Sequence, residues 1–311
     1  MLELRQLRYF VTIVDAGSLT RAAELLYVAQ PALSQQLAIL ESNVNARLLN
    51  RSSKGINPTE AGTALYKHAQ TILKLVDETK SVIKSPESGI SGRVRLAMPG
   101  TTGSILAAPL VEKLRLEHPG IILEVYEHPS SYLVPQLLEQ RVDLSFLVDN
   151  IPSSGLEVTP IANENLYFIH HKDNHPFGKQ AHVKLDELID IPLVLPTRTS
   201  TLRQLIDNAF SAQDIEPMIV AETSSTQTLL RLAANSPIGT IQTLTSMASS
   251  LESKKLIASL IQPVLARRLY LAYPKYVALS EASTYVHSAI IVLAKELMLS
   301  GQWRGAVPQY Q

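Results

Sequence analysis

The chain contains no cysteine. Disulfides, thiolate metal sites and cysteine nucleophiles are therefore excluded. It has no excess of either charge, since 28 basic and 28 acidic residues give a formal net charge of +0. No global basic field draws in nucleic acid, and any such affinity must come from a local patch. Long apolar runs are missing: the longest, such as residues 289–294, are too short to span a bilayer. Glu3, Arg5, Arg8 and Asp15 interrupt the first apolar positions, which argues against a signal peptide. There is no P-loop, Rossmann glycine fingerprint, Gly-x-Ser-x-Gly or His-Glu-x-x-His. These absences argue against the common enzyme classes, and no cofactor or metal is expected. What remains is a globular composition, 46% hydrophobic and 18% charged over 311 residues. That length predicts two or three domains, and the composition a soluble cytoplasmic protein with no membrane association.

The segment over residues 17–41, GSLTRAAELLYVAQPALSQQLAILE, carries the most information. Before it, Leu4, Leu7, Val11 and Val14 recur at helical spacing, and Gly17 ends that helix. Ser18 is a natural N-cap for a second helix, although Arg21 stands where a capping box would place Glu. Leu19, Ala22, Ala23 and Leu26 form its apolar face, and the two alanines permit close helix packing. A third helix opens at Ala29-Gln30-Pro31, with Leu33, Leu37, Leu40 and Val44 inward. Pro31, Ser34, Gln35 and Ala38 share its other face, with Gln30 at the entrance. Glutamine can bond an adenine edge bidentately, serine several base edges, and alanine or proline a thymine methyl. A merely solvated face would carry Lys and Glu, and here neither occurs before Glu41. The pattern predicts a helix-turn-helix whose last helix enters the major groove, at about residues 19–38. After it, two strand-like pieces flank Ser52-Ser53-Lys54-Gly55, which suggests a wing. Arg51 and Lys54 are placed to meet phosphates, while Arg47 reads equally well as an ordinary solvated charge.

Asn57-Pro58-Thr59-Glu60 starts a long helix, with either Asn57 or Thr59 as its cap, running to about Lys84. Leu65, Ala69, Ile72, Val76, Thr79 and Ile83 follow spacings of four and three, a heptad-like seam suited to dimerisation. The competing reading is packing on its own domain. Residues 85–92 read as a hinge.

From Arg93 strands and helices alternate: strands at 94–98, 121–126 and 143–148, helices at 105–117 and 132–140. A second such pattern runs through strands at 166–169, 193–195 and 219–221, and a strand at 269–273 with a helix at 285–299 returns to the first lobe. The expectation is α/β with a largely parallel sheet, in two lobes with a cleft between them. Three helix starts are rich in hydroxyls: Gly100-Thr101-Thr102-Gly103-Ser104, Thr197-Arg198-Thr199-Ser200-Thr201, and Thr223-Ser224-Ser225-Thr226. Each is an ordinary cap or an anion site, and three at equivalent strand ends favour a polar cleft. Arg198 pairs with a ligand carboxylate or with a protein acid. His170, His171 and His175 around Asp173 read as an exposed loop rather than a metal site.

LRYFVTIVDAGSLTRAAELLYVAQPALSQQLAILE, then RLLNRSSKGINPTEAG, and then the two-lobed remainder resemble the LysR-type transcriptional regulators. With MPGTTGSILAAPLV, the chain is most similar to their nitrogen assimilation control subgroup. The resemblance covers essentially the whole chain. It implies an N-terminal winged helix-turn-helix (residues 2–60), a linker helix (61–88) and a C-terminal α/β, two-lobed, periplasmic-binding-protein-like effector domain (92–303). Lobe I takes 92–162 and 267–303, and lobe II 163–266. It implies contacts to double-stranded DNA at Thr20, Arg21, Gln30, Pro31, Ser34, Gln35, Arg51 and Lys54, beside Ser18 at the helix start. It implies dimerisation through Leu65, Ala69, Ile72, Val76 and Ile83, often a dimer of dimers, on a palindromic promoter site, with RNA polymerase as partner. It implies a small anionic effector at Thr101, Thr102, Ser104, Thr197, Arg198 and Ser200, to which the hydroxyl-rich starts add Gly103 and Thr226. Two departures stand out. Gln35 replaces a frequent arginine, which shifts the expected base preference from guanine towards adenine. Thr243 stands where proline is usual after the glycine-containing turn of the second lobe. The alternative reading is a two-lobed small-molecule-binding protein without a DNA role.

Overall fold

A computed structural model describes residues 2–52, 55–84, 89–149, 151–152, 154–173, 180–248 and 250–309, with backbone alone at 51, 52, 74 and 77–84. Lys54, the first half of the expected hinge (85–88) and His175 lie outside the described residues. The chain divides into two units, Met1–Glu87 and Ser88–Gln311.

The first unit is α1 (Leu4–Ala16), α2 (Leu19–Leu26), α3 (Gln30–Asn43), β1 (Leu49–Ser52), β2 (Gly55–Pro58) and α4 (Glu60–Lys84). Gly17 ends α1 in the left-handed region at φ 64°, where a side chain would be strained. Phe10, Ile13, Ala22, Ala23, Leu33, Leu37 and Leu40 close one core with Leu48, Leu49 and Tyr66. The buried positions of α1 are Gln6, Leu7, Phe10 and Ile13; of the expected Leu4, Leu7, Val11 and Val14, Leu7 is buried, Val11 and Val14 pack half-buried against the same core, and Leu4 is exposed. The bulkier Phe10 and Ile13 take the centre of the contact, with Val11 and Val14 at its edge. β1 and β2 pair antiparallel as the expected wing. Its root is tied down: the Glu41 carboxylate accepts the Leu48 N–H at 2.7 Å, and the Ile56 N–H donates to Gly17 O at 3.0 Å. Of the two candidate caps for α4, Thr59 serves, its hydroxyl oxygen accepting from Gly62 N at 3.0 Å.

The second unit begins with β3 (Ser91–Met98), α5 (Gly100–Glu117), β4 (Gly120–Glu127), α6 (Ser130–Leu138), β5 (Leu144–Val148) and β6 (Leu156–His171). It continues through β7 (His182–Lys184), β8 (Leu193–Pro196), α7 (Thr201–Ser211), β9 (Ile219–Thr223), α8 (Thr226–Asn235), β10 (Thr240–Thr243) and α9 (Leu244–Ala248). β11 (Leu256–Gln262), β12 (Ala266–Pro274), α10 (Glu281–Leu299) and β13 (Ala306–Pro308) complete it. The main sheet runs β4-β3-β5-β12-β6-β11-β7, with β10 and β13 also on β6.

This sheet is mixed, which corrects the expectation of a largely parallel one. β3 is parallel to β4 and β5, but β12 is antiparallel to both β5 and β6, and β11 is antiparallel to β6. The cause is β6, whose first part pairs with β12 over Leu156–Asn165 and whose second part pairs with β10 and β11. Its first ten residues, LEVTPIANEN, are too polar to read as a strand from periodicity.

Two sets of cores follow from this change of partner. Val94, Leu96, Leu110, Phe146, Leu271 and Ile290 pack with helices α5 and α10, and Leu133 and Leu137 of α6 cover the opposite face. Leu166, Phe168, Leu193, Leu195, Ile206 and Phe210 form the second core with α7, and Leu230 and Ala233 of α8 lie on its other side. α10 has the length and composition of a membrane-spanning helix, but Val286, Ile290, Leu293 and Leu297 bury one side of it in the first core. β3, β4, β8 and β9 all end beside one cavity, as open α/β sheets place their ligand crevices.

Candidate functional sites

The outer surface of α3 follows from the packing of its inner one. Leu33, Leu37 and Leu40 are fully or almost fully buried, so Pro31, Gln35 and Ala38 are exposed on the other side, with Gln30 and Ser34 half-buried beside them. Gln36 turns back and accepts a hydrogen bond from Gln6 Nε2 at 3.4 Å, which leaves Gln35 as the outward glutamine of the pair. Thr20 and Arg21 are exposed at the start of α2. Ser18 Oγ caps that helix by accepting from Arg21 N at 3.5 Å, so its position has a structural purpose. Arg51 lies on β1 opposite Ile56. Arg47 donates from Nε to its own chain at Leu49 O, 3.2 Å, in keeping with the plainer of its two readings.

The seam on α4 divides. Ala69 is fully buried within the unit and Tyr66 is 8% exposed, its hydroxyl bonded to the Asp15 carboxylate of α1. Leu65 packs against the same core. This first part of the expected dimer seam is therefore intrachain packing, because α4 starts by lying on α1. Further along, Ile72 and Leu75 are 39% and 49% exposed, and Val76 is half-buried. Only the backbone is described at Ile83.

The second unit holds a cavity of about 820 Å³. Thr101, Ser104, Thr197, Ser200 and Thr226 line it, as expected from the hydroxyl-rich starts. Thr102, Gly103 and Arg198 do not. Thr102 and Gly103 are buried on the inner side of the first turn of α5. Arg198 is 82% exposed and lies 3.7 Å from Glu222, a protein acid rather than a ligand carboxylate. Glu222 is held below the usual carboxylate range, first by a hydrogen bond from Arg203. Arg203 is itself buried and also donates to Pro196 O at 2.9 Å, so it pins the end of β8 at the cavity wall.

Further lining residues escaped the sequence. Glu127 ends β4 and His128, Ser130 and Tyr132 follow it, and the strand-end rule applied to 121–126 points to them. Gln242 and Arg267 sit inside strands with no local signature. Arg267 is buried against Glu164, Nη2 to Oε2 2.6 Å, and donates to Thr101 Oγ1 at 2.8 Å. Thr245 and Trp303 donate to the other carboxylate oxygen of Glu164, at 2.6 and 2.9 Å. Gln242 is 2% exposed and its Nε2 has no hydrogen-bond partner. Neighbouring Thr243 is buried and off the cavity lining.

The helix starts differ in how their free N–H groups are met. Ser225 caps α8, accepting from Thr228 N at 3.3 Å. The first N–H of α7 is met from another helix: Ser130 Oγ, at the start of α6, accepts from Thr201 N at 3.2 Å and from the Thr201 hydroxyl at 2.9 Å. Beside the first turn of α5 lies the Glu127 carboxylate. A Cβ at Gly103 would overlap its Oε1, and one at Gly100 would be 3.2 Å from Oε2. An anion at that start meets a carboxylate already there.

His170 and His171 close strand β6 rather than lying in a loop, and the ring of His170 stacks on Phe168 at 5.0 Å. Burial pushes the His170 imidazole below its ordinary value. Among the described residues, no group of three or more His, Cys, Asp or Glu is arranged to hold a metal ion.

A winged helix-turn-helix with an outward polar face on its last helix, carried on the same chain as an α/β domain with a polar cavity, defines a DNA-binding transcriptional regulator. Residues 4–63 match the model for the bacterial regulatory helix-turn-helix protein, lysR family, and residues 87–286 match the LysR substrate binding domain. The chain belongs to the LysR family. The nitrogen assimilation regulatory protein nac of Escherichia coli K12 is 31% identical to it over 307 residues, 97% of this chain and 99% of that one. A full-length OxyR variant from Pseudomonas aeruginosa superposes with a TM-score of 0.72 at 22% identity, covering 100% of this chain and 99% of that one. Full-length CbnR complexed with its target DNA gives 0.65 at 24% identity, covering 94% and 100%. These last two likenesses show the fold.

Proposed function

We propose that α3 enters the major groove, where Gln30, Pro31, Ser34 and Gln35 meet base edges, while Thr20, Arg21, Arg51 and Lys54 contact the DNA backbone and its neighbouring groove. The observation that carries this reading is the opposition on α3: Leu33, Leu37 and Leu40 are buried, while Gln35 is exposed on a face without Lys or Glu before residue 41. The CbnR complex, a structure of the same fold with its target DNA, supports it. Two copies joined through the exposed part of α4 at Ile72, Leu75 and Val76 would read a palindromic promoter site, as a dimer or as a dimer of dimers. We divide the chain into a DNA-binding part (2–60), a linker (61–88) and a regulatory part (92–303) with lobes 92–162 plus 267–303 and 163–266.

On this reading the cleft takes a small effector, the protein acts in the cytoplasm on promoter DNA and its transcribing polymerase, and it catalyses no reaction. Likeness to the nitrogen assimilation regulator supports nitrogen or small-metabolite genes as its targets. Anisotropy titration of a promoter fragment tests the assignment of α3. Gln35→Ala is expected to weaken specific binding by about 1–3 kcal/mol per lost bidentate contact, with Ser34→Ala in the same direction and the melting curve unchanged. Unaltered specific affinity in both variants would remove α3 from the interface.

A further inference from the structure

We propose that the cleft selects a small molecule carrying a protonated amine together with an oxygen acceptor, an amino-acid-like zwitterion, in preference to a simple anion. This rests on the reading of the cleft as an effector site and names the chemistry of its ligand. Three observations carry it. The first is Glu127, whose exposed carboxylate lines the cavity and rests against the first turn of α5. Gly100 and Gly103 leave room for it there, beside the partial positive charge of the helix start.

The second is the charge balance of the wall. Among the described residues, Arg267 is the one Arg or Lys on the cavity lining, and its guanidinium is committed to Glu164, 2.6 Å away and 1% exposed. With that pair neutral, Glu127 is the carboxylate left facing the cavity among the described residues. A ligand anion placed there has a like charge beside it, and a ligand ammonium has a counter-ion. The third is Gln242, 98% buried by its 2% exposure, on the cavity lining, with Nε2 bonded to nothing. A buried amide without a partner is costly, and a ligand oxygen satisfies it. Hydroxyls of Thr197, Ser200 and Thr226 add further polar partners around the same space.

Isothermal titration of the full-length protein tests this with three probe sets: the protein amino acids, the 2-oxo acids of the same carbon skeletons, and the primary amines left by removing the carboxyl group. The expected result is that an amino acid binds about tenfold or more tightly than its 2-oxo acid, the value of one charge-assisted contact. Glu127→Gln, at an exposed position, is expected to abolish that preference while leaving the melting temperature in place. Gly103→Ala is expected to act in the same direction, because its methyl group displaces only the far end of the Glu127 side chain. A 2-oxo acid that binds as well as its amino acid, or a preference that survives Glu127→Gln, would overturn the amine assignment while leaving the cleft a ligand site. No heat with any of the three sets would overturn the assignment together with the effector reading beneath it.

Discussion

Gln35 and Gln36 are adjacent in the chain and have different fates, because a helix turns by about 100° per residue. Gln36 is held by Gln6 of α1, and Gln35 faces outward. This outcome was legible from the leucines alone, since Leu33, Leu37 and Leu40 determine which side is inner. Arg267 is the opposite case. It sits in strand β12, bonds Thr101 from a distance of 166 positions and pairs with Glu164 of β6, so nothing in its local sequence announces it. Both charges are buried, and removing one leaves the other without its partner. Arg267→Met is therefore expected to destabilise the second unit by about 3–5 kcal/mol, measured by urea denaturation, whereas a well-solvated pair would cost about 1 kcal/mol or less. A loss under that smaller figure would mean that the pair is hydrated and that Arg267 is available to a ligand anion.

Elements were most legible where their periodicity was strong and their surroundings simple. The three helices of the first unit, the wing and α4 all fall close to where capping residues and apolar spacing placed them. On α1 the expected stripe was right at Leu7, Val11 and Val14 but missed Phe10 and Ile13, the residues that packing against α2 and α3 buries most deeply. β6 was missed over its first part for a different reason. A strand that pairs with β12, then with β10 and β11, is specified by its partners rather than by its own alternation. On α4 the seam has two purposes, folding near Tyr66 and Ala69 and exposed apolar surface at Ile72 and Leu75. Replacing both Ile72 and Leu75 with Asp is expected to convert dimer to monomer in sedimentation velocity while the first unit stays folded. An unchanged sedimentation coefficient would place the dimer contact elsewhere.

At the scale of the whole molecule, the balanced charge of the chain carries a consequence for DNA binding. Under the proposed assignment, attraction to phosphates would come from a few local cations such as Arg21 and Arg51, and discrimination among sites would rest heavily on base contacts from α3. The cleft shows the same division between local and distant causes. Its hydroxyl-rich rim at Thr101, Ser104, Thr197, Ser200 and Thr226 was legible, because each lies where a strand hands over to a helix. Its buried floor at Gln242 and Arg267 was not, because those side chains meet there only after two cores have folded around β6. The proposed regulator depends on α3 reading bases in a symmetric pair. Selection of bound sites from random duplex DNA, run in parallel on the full-length protein and on its Gln35→Ala variant, tests that claim most directly. The predicted result is an inverted repeat with half-sites centred about one helical turn or a multiple of it apart. Adenine should be enriched at one position in each half-site, and its enrichment should collapse in the variant. A motif without two-fold symmetry, or one whose adenine is unmoved by Gln35→Ala, would contradict the account.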